Sequence, residues 1–326
     1  MKNSAPLLVT GAAGFIGARF VETCRKNGQD VISVDAPSYF TERTENLHVD
    51  FSKIVDREKL IDWLRTEKPK LSGIVHLGAC TDTTELDEAY LARMNTEYSK
   101  QIWNYCTEAR VPLVYASSAA TYGDGALGYD DDDALIAKLK PLNPYGESKR
   151  LFDLWVLEQE KKKLTPPTWS GFKFFNVYGF GERHKGKMAS VILHGYDQIL
   201  SAGKVKLFKS HRPDYKDGHQ KRDFIWVQDL VAVLNFALEK PITRGIYNLG
   251  TGQARTFLDL VKATFKSLGR PENIEFFDTP LELRERYQYF TEAKMDRLRA
   301  AGFTQPFASL EDGVAEYVQE LKRRQI

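Results

Sequence analysis

An apolar run, Ala5 to Thr10, passes directly into Gly11-Ala12-Ala13-Gly14-Phe15-Ile16-Gly17 and then into a stretch with helical spacing. Three glycines in a G-x-x-G-x-x-G pattern let a chain turn tightly, bring its backbone against a pyrophosphate and open a helix whose amino end meets that charge. A glycine triplet alone is weak evidence. Here Asp35 also closes the next apolar run, Asp30 to Asp35, at about the 20-residue separation at which a carboxylate reaches a ribose in such units. Strand, turn, helix and terminal acid all agree, which favours a dinucleotide-binding βαβ unit over a purely structural turn.

The rest of the amino-terminal half keeps the same rhythm. Strand-like runs recur at Ser72 to Leu77, Val111 to Ser117 and Gly171 to Val177, separated by helical stretches at Glu58 to Thr66 and Leu86 to Arg110. In the second stretch Leu91, Met94, Tyr98, Ile102 and Tyr105 recur at helical spacing and are expected in the core. Asp130 to Asp133 is expected to be a solvated loop, because successive carboxylates diverge in direction. Beyond Tyr178 the alternation breaks down. A strand-like Phe224 to Val227, a helix from Gln228 and a strand at Ile246 to Leu249 precede a mostly helical remainder with one strand-like run, Ile274 to Phe277. The expected fold is therefore α/β: a Rossmann-type doubly wound parallel sheet with a smaller C-terminal α/β substrate domain. Residues 1–177 and 222–250 are assigned to the first unit, 178–221 and 251–326 to the second.

Bulk properties exclude several function classes. A chain of 326 residues with 42% apolar and 28% charged residues is an ordinary globular protein, and a net charge of +2 gives no ground for nucleic-acid binding. Cys24, Cys80 and Cys106 form no C-x-x-C pair and read as reduced thiols, so a cytoplasmic setting is expected. The first apolar run is too short for a signal core or a membrane span. Six histidines, at 48, 76, 184, 194, 211 and 219, show no compact ligand spacing, and no catalytic metal is expected.

Downstream of the glycine turn lies Tyr145-Gly146-Glu147-Ser148-Lys149, with a hydroxyl pair at Ser117-Ser118 before it. On a helix the i,i+4 spacing sets Tyr145 and Lys149 on one face, where the ammonium is expected to favour phenolate and make Tyr145 a general base. Without the nucleotide turn this spacing reads as an ordinary amphipathic helix. Asp35 favours NAD because a carboxylate repels a 2′-phosphate, whereas Arg43 and Arg57 offer cations for NADP, and the residues leave both open. Lys204, Lys206, Lys209, His211, Arg212, Lys216, Lys221 and Arg222 crowd one segment, which suits a pyrophosphate, with Arg222 the expected bidentate contact.

These motifs, together with the blocks His76 to Glu85, Tyr115 to Gly123, Phe175 to Gly179, His184 to Val191 and Arg286-Tyr287-Gln288, resemble the ADP-L-glycero-D-manno-heptose 6-epimerase family of extended short-chain dehydrogenase/reductases. The resemblance runs almost end to end, and His184-Lys185-Gly186-Lys187 is its most specific element. It implies epimerisation at carbon 6 of ADP-D-glycero-D-manno-heptose through a transient ketone, using tightly held NADP, with NAD as the alternative, in the synthesis of lipopolysaccharide inner-core precursors. It further implies a homo-oligomer, a pentamer on the family pattern. Catalytic roles fall on Tyr145, Lys185, Lys149 and Ser118. Implied cofactor contacts are Gly11, Gly14, Phe15, Ile16, Gly17, Asp35, Ala36, Arg57, Leu77, Gly78, Ala79, Cys80, Asn95 and Val177, with Tyr145, Lys149 and Lys185. Implied substrate contacts are Asn176, Lys187, His194, Phe208, Lys209, Ser210, Arg222 and Tyr287, with Ser118. A ketone that turns over in its pocket needs an acid on one side and a base on the other, which is why two groups are expected. The rivals are a 4-epimerase of the same fold and a non-catalytic NADP-binding protein. A dehydratase is disfavoured because Ala119-Ala120, rather than an acidic pair, follows Ser118.

Overall fold

In the computed structural model, which describes residues 5–240, 242–284 and 288–324, the first strand is buried at every position. Strand β1 (Leu7–Thr10) is followed by β2 (Val31–Asp35), β3 (Lys53–Asp56), β4 (Gly73–His76), β5 (Leu113–Ser118) and β6 (Trp169–Phe174). Then come β7 (Asn176–Tyr178), β8 (Val205–Phe208), β9 (Lys221–Trp226), β10 (Gly245–Leu249), β11 (Ala254–Thr256) and β12 (Ile274–Phe277). Seven of these form one parallel sheet in the order β10-β6-β5-β4-β1-β2-β3. Helices cover both faces of such a sheet, so its strands are apolar throughout rather than alternating, as Leu7-Leu8-Val9 is here. The winding reverses between β1 and β4, and the crevice outside their carboxyl ends is where such sheets bind ligands.

The expected strand Gly171 to Val177 is two strands. The chain leaves the large sheet at Phe174, and Asn176–Tyr178 pairs in parallel with β9 in a three-stranded sheet, β11-β9-β7. This switch sets Asn176 and Val177 at the mouth of the crevice. A two-stranded sheet, β12-β8, and the helices Val191–Ala202, Phe257–Leu268 and Leu310–Arg324 complete the smaller unit around Ile192, Tyr196, Leu260, Phe265 and Val314. Strand β3 escaped the sequence pattern because it is an edge strand with two exposed residues, β8 because the exposed Lys206 interrupts its apolar run, and β11 because it spans only three residues. The expected helix Leu86 to Arg110 runs from Glu88 to Glu108 and widens into a π turn over Ala92–Glu97.

Asp130 to Asp133 corrects the expectation of a solvated loop. The four carboxylates do diverge, but each meets its own partner. Asp130 pairs with Lys294 at 2.7 Å, Asp131 is 5% exposed and accepts from the Asn248 amide at 2.8 Å, Asp132 caps the turn at Ala134, and Asp133 pairs with Arg297 at 2.8 Å. Arg297 also donates to the carbonyls of Asp131 and Ile246, tying the loop to edge strand β10.

Behind the crevice lies a dry ion pair. Lys173 on β6 and Asp153 on the helix Pro144–Lys161 are both 0% exposed and meet at 2.7 Å. Asp153 also accepts from the Ser117 hydroxyl at 2.7 Å and the Tyr115 hydroxyl at 3.2 Å, while Lys173 donates to Thr121 at 2.7 Å. Breaking such a pair strands one charge in low dielectric at a cost of about 3–5 kcal/mol, whereas neutralising both partners is far milder. Lys173→Met is therefore expected to lose about that much stability by urea unfolding, and the double change Lys173→Met with Asp153→Asn to recover at least half of it.

Candidate active site

The glycine turn is a cradle defined by lack of space. Gly11 has φ of 68°, and a methyl group on it would lie 2.7 Å from the amide nitrogen of Gly78; on Gly17 it would lie 2.0 Å from the Gly11 carbonyl oxygen. The helix Phe15–Lys26 starts at Gly14 with no side-chain cap and no acidic residue in its first turn. Its open amides and positive dipole end fit the pyrophosphate of a dinucleotide. At the ribose end, both oxygens of Asp35 are engaged by backbone, Oδ2 by the Ala13 amide at 3.1 Å and Oδ1 by the Ala36 amide at 2.9 Å. Burial pushes this carboxyl above the usual range, opposed by those bonds and by Arg43 and Arg57. The Arg43 guanidinium lies 3.8 Å over the Tyr39 ring, and that of Arg57 lies 5.6 Å from the same ring.

A buried polar chain fixes the cradle to the next loop. Ser99 Oγ donates to the Asn95 carbonyl at 2.6 Å, so it accepts from His76 Nε2 at 2.9 Å; Nδ1 then accepts from the Thr10 hydroxyl at 2.6 Å, and Thr10 accepts from the Gly78 amide at 3.1 Å. Burial, with Lys149 nearby, pushes His76 down to about 3, so the ring is neutral in this arrangement. Asn95, in the π turn, accepts from the Cys80 amide at 2.8 Å and donates to the Cys80 carbonyl and to Ser148 Oγ, each at 3.0 Å.

Tyr145 stands at the start of the helix Pro144–Lys161, where Asn143 caps by accepting from the Gly146 amide at 2.7 Å and proline occupies the first turn. Its phenol is nearly buried and faces the Ser118 hydroxyl. Burial pushes the phenol above its ordinary value while the Ser118 hydroxyl opposes the rise, which corrects the expectation that Lys149 makes it acidic. The Lys149 ammonium instead donates to the Ala116 carbonyl at 3.1 Å, and burial pushes it down to about 8 against the pull of Asp153 and Cys80.

Lys185 reaches the same crevice from the turn Arg183–Met188. Gly186 makes that turn possible with φ of 52° and ψ of −123°, a conformation that side chains resist. The Lys185 Nζ lies 5.6 Å from the Phe15 ring, and burial lowers its proton affinity against the opposing charge of Glu182. Neighbouring His184 is pushed down to about 4 by burial, Arg43 and Lys185.

The crevice has a volume of about 1040 Å³. Of the residues singled out from sequence, it is lined by Gly11, Gly14, Phe15, Ile16, Gly17, Asp35, Arg57, Leu77, Gly78, Ala79, Cys80, Ser118, Tyr145, Lys149, Asn176, Val177, Lys185, Lys187, His194, Phe208 and Arg222. Four others stand off its wall. Ala36 and Asn95 support the lining from behind through the bonds above, Lys209 pairs with Asp278 at 3.2 Å, and Ser210 accepts from the Arg212 amide within its own loop. Tyr287 lies outside the described residues. The basic segment is likewise largely spoken for: Lys204 pairs with Glu275, Lys209 with Asp278 and Arg212 with Asp214, and only Lys206 and Arg222 among its cations line the crevice. Arg222 donates to the carbonyls of Lys221 and Gln288. Tyr39, Gln198, Gln220 and Phe277 line the crevice without having been singled out. Phe277 packs on Phe208 at 4.8 Å between ring centres and stays 41% exposed, a feature that the structure and not the sequence brings out.

Comparison with known proteins adds an independent line. Residues 7–250 match the NAD dependent epimerase/dehydratase family. The chain is 46% identical over 320 residues to an ADP-L-glycero-D-manno-heptose-6-epimerase of Nitratidesulfovibrio vulgaris, with 96% of this chain and 97% of the relative covered. It is 43% identical over 324 residues to a protein of the same description from Fusobacterium nucleatum, again with 96% and 97% covered. Its fold is similar to the crystal structure of the Helicobacter pylori ADP-L-glycero-D-manno-heptose-6-epimerase, with a TM-score of 0.81, 25% identity and coverage of 98% and 96%.

The neutral, buried His76 has a consequence for acid stability. Its proton affinity is depressed by folding, so below about 6.5 the unfolded chain binds a proton that the native one refuses, and stability falls with pH through that window toward 3. Between pH 7 and pH 5 this group alone is expected to remove about 2 kcal/mol, and urea titrations of His76→Gln are expected to show a correspondingly flatter dependence.

Proposed function

From membership of the ADP-L-glycero-D-manno-heptose 6-epimerase family, to which this chain belongs, we propose that Tyr145 and Lys185 are its two proton-transferring groups, one for each face of carbon 6. The protein is an isomerase that interconverts the D-glycero and L-glycero forms of an ADP-bound heptose. It is built on a fold that binds an NAD(P) dinucleotide, which when bound supplies the reversible oxidation of the carbon-6 alcohol to a ketone. The observation carrying this reading is that a buried phenol and a half-buried ammonium of lowered proton affinity, from unrelated segments, share one crevice.

Each role follows from local chemistry. Tyr145 takes or returns the hydroxyl proton on one side, and Ser118, which faces the phenol in the same crevice, donates a hydrogen bond to the reacting oxygen. Lys149, whose ammonium is anchored to the Ala116 carbonyl at the crevice wall, would hold a ribose of the dinucleotide. Lys185 serves the opposite side, and its lowered proton affinity brings it closer to the working pH than a solvated lysine. Asn176, Lys187 and His194 line the sugar end, while Lys206, Arg222 and the Phe208–Phe277 pair suit an ADP group.

The finer cofactor reading is NADP. It is supported by the engagement of both Asp35 oxygens by amides and by two arginines, Arg43 and Arg57, beside that ribose end. Residues 1–177 with 222–250 form the dinucleotide unit and residues 178–221 with 251–326 the substrate unit. By the family pattern the enzyme is a cytoplasmic homo-oligomer, a pentamer, working on precursors of the lipopolysaccharide inner core.

Purified protein is expected to interconvert the two carbon-6 epimers of ADP-heptose by proton NMR and to release NADP(H), identified by mass, on denaturation. Tyr145→Phe is expected to cut turnover by at least about a hundredfold while cofactor stays bound. Bound cofactor without epimerisation sinks the assignment of the reaction, and undiminished turnover of the Phe variant removes Tyr145 as the acid/base.

A further inference from the structure

The turn that carries Lys185 is held at its ends by two buried carboxylates that no step above uses. Glu182 is 0% exposed. Its carboxylate accepts from the Ser190 amide at 2.7 Å and the Ser190 hydroxyl at 2.5 Å, which fastens the far end of the turn to the start of the helix Val191–Ala202. Its own carbonyl accepts from the Lys185 amide at 2.9 Å. Glu45, 4% exposed, accepts from the Arg183 amide at 2.6 Å at the near end. Arg183 is in turn gripped by both oxygens of Asp197, at 2.8 and 3.1 Å.

The charges around this turn are unequal in what they do. Glu182 faces Lys185 from the residue before the turn, while Glu45, on the segment Thr44–Asn46, faces Glu182 and Arg183, and the Tyr317 hydroxyl, on the helix Leu310–Arg324, faces Glu182 and Glu45. Lys185 faces Glu182 and His184, and His184 faces Arg43. Arg183 is turned away onto Asp197 and Arg19 onto Glu22, leaving Lys185 as the cation that answers Glu182. Burial pushes the Glu182 carboxyl up, and Lys185, the two Ser190 donors and the Tyr317 hydroxyl oppose that rise.

We infer that Glu182 is a positioning residue for the reaction: it sets the turn through Ser190 and keeps Lys185 protonated at the crevice wall until a substrate oxygen takes the proton. The inference rests on the reading of Lys185 as an acid/base group. A lysine desolvated without an anion nearby loses its proton early, and a lysine on a loose turn misses the substrate oxygen; one carboxylate prevents both.

The test uses the full-length, cofactor-loaded protein with lysines labelled at Cε. Lys185 is followed by NMR through its titration, its signal assigned by its loss in Lys185→Arg. In Glu182→Gln its titration is expected to move down by about one pH unit or more, a tenfold loss of proton affinity, with kcat falling about as much and KM little changed. Tyr317→Phe, which removes a hydroxyl beside the same carboxylate and leaves a shape the core accepts, is expected to move it the same way by less. It decides the matter if Glu182→Gln does not fold. A Lys185 titration unmoved in the variants that fold overturns the inference. Lys185→Met separates this from the reading beneath it. If that variant still epimerises, Lys185 is not the acid/base and the role given to Glu182 falls with it. If it is inactive while the Glu182→Gln titration is unmoved, only the role of Glu182 is lost.

Discussion

At the carboxyl end of β1 the carbonyl of Gly11, the amide of Gly78 and the α-carbon of Gly17 approach so closely that a single added methyl group has nowhere to go. That contact fixes where the helix Phe15–Lys26 begins, and hence where its open amides aim. The Thr10–His76–Ser99 chain then holds the β4 loop against the same point, and Asn95 passes the constraint through Cys80 to Ser148 on the helix that bears Tyr145 and Lys149. Cofactor cradle and proton-transfer groups are therefore one connected object. A change in the backbone spacing at Gly11 moves both.

Two lysines are taken out of water around the crevice and a third is half-buried, and each is handled differently. Lys173 is paired directly with Asp153 and donates to Thr121, so its charge is spent on architecture. Lys149 has a carbonyl and a more distant carboxylate, and burial wins, leaving its proton easily lost at about 8. Lys185 has Glu182 across a short turn, an intermediate case. The gradation in pairing matches the demand proposed for each group: none for Lys173, holding the cofactor for Lys149 and proton transfer for Lys185.

Much of this was legible in the amino-acid order because it rests on local rules. Gly11, Gly14 and Gly17 between a strand and a helix, Asp35 at the end of β2 and the i,i+4 pair Tyr145 and Lys149 are set by backbone geometry over a few residues. What escaped was long-range. Nothing near Asp131 in sequence announces that the Asn248 amide waits for it, and a run of four acids reads as solvent-facing for that reason. Lys209 and Arg212 carry the same formal charge as Lys206, yet Asp278 and Asp214 claim them and leave Lys206 to the crevice. The phenol of Tyr145 was expected to be acidified by its helical neighbour, but the depth of burial, a tertiary quantity, decides the sign.

The ties from Asp131 and Asp133 to Asn248, Ile246 and Arg297 also bear on how the sheet ends. Strand β10 covers the outer edge of β6 and is itself held by Arg297, which lies 51 residues further along from Ile246 and reaches back to Asp133. Without β10 the edge of β6 would present a row of unpaired backbone groups, a template for pairing with other chains. The ion pair that looks like loop decoration is therefore also a guard on the sheet's open side.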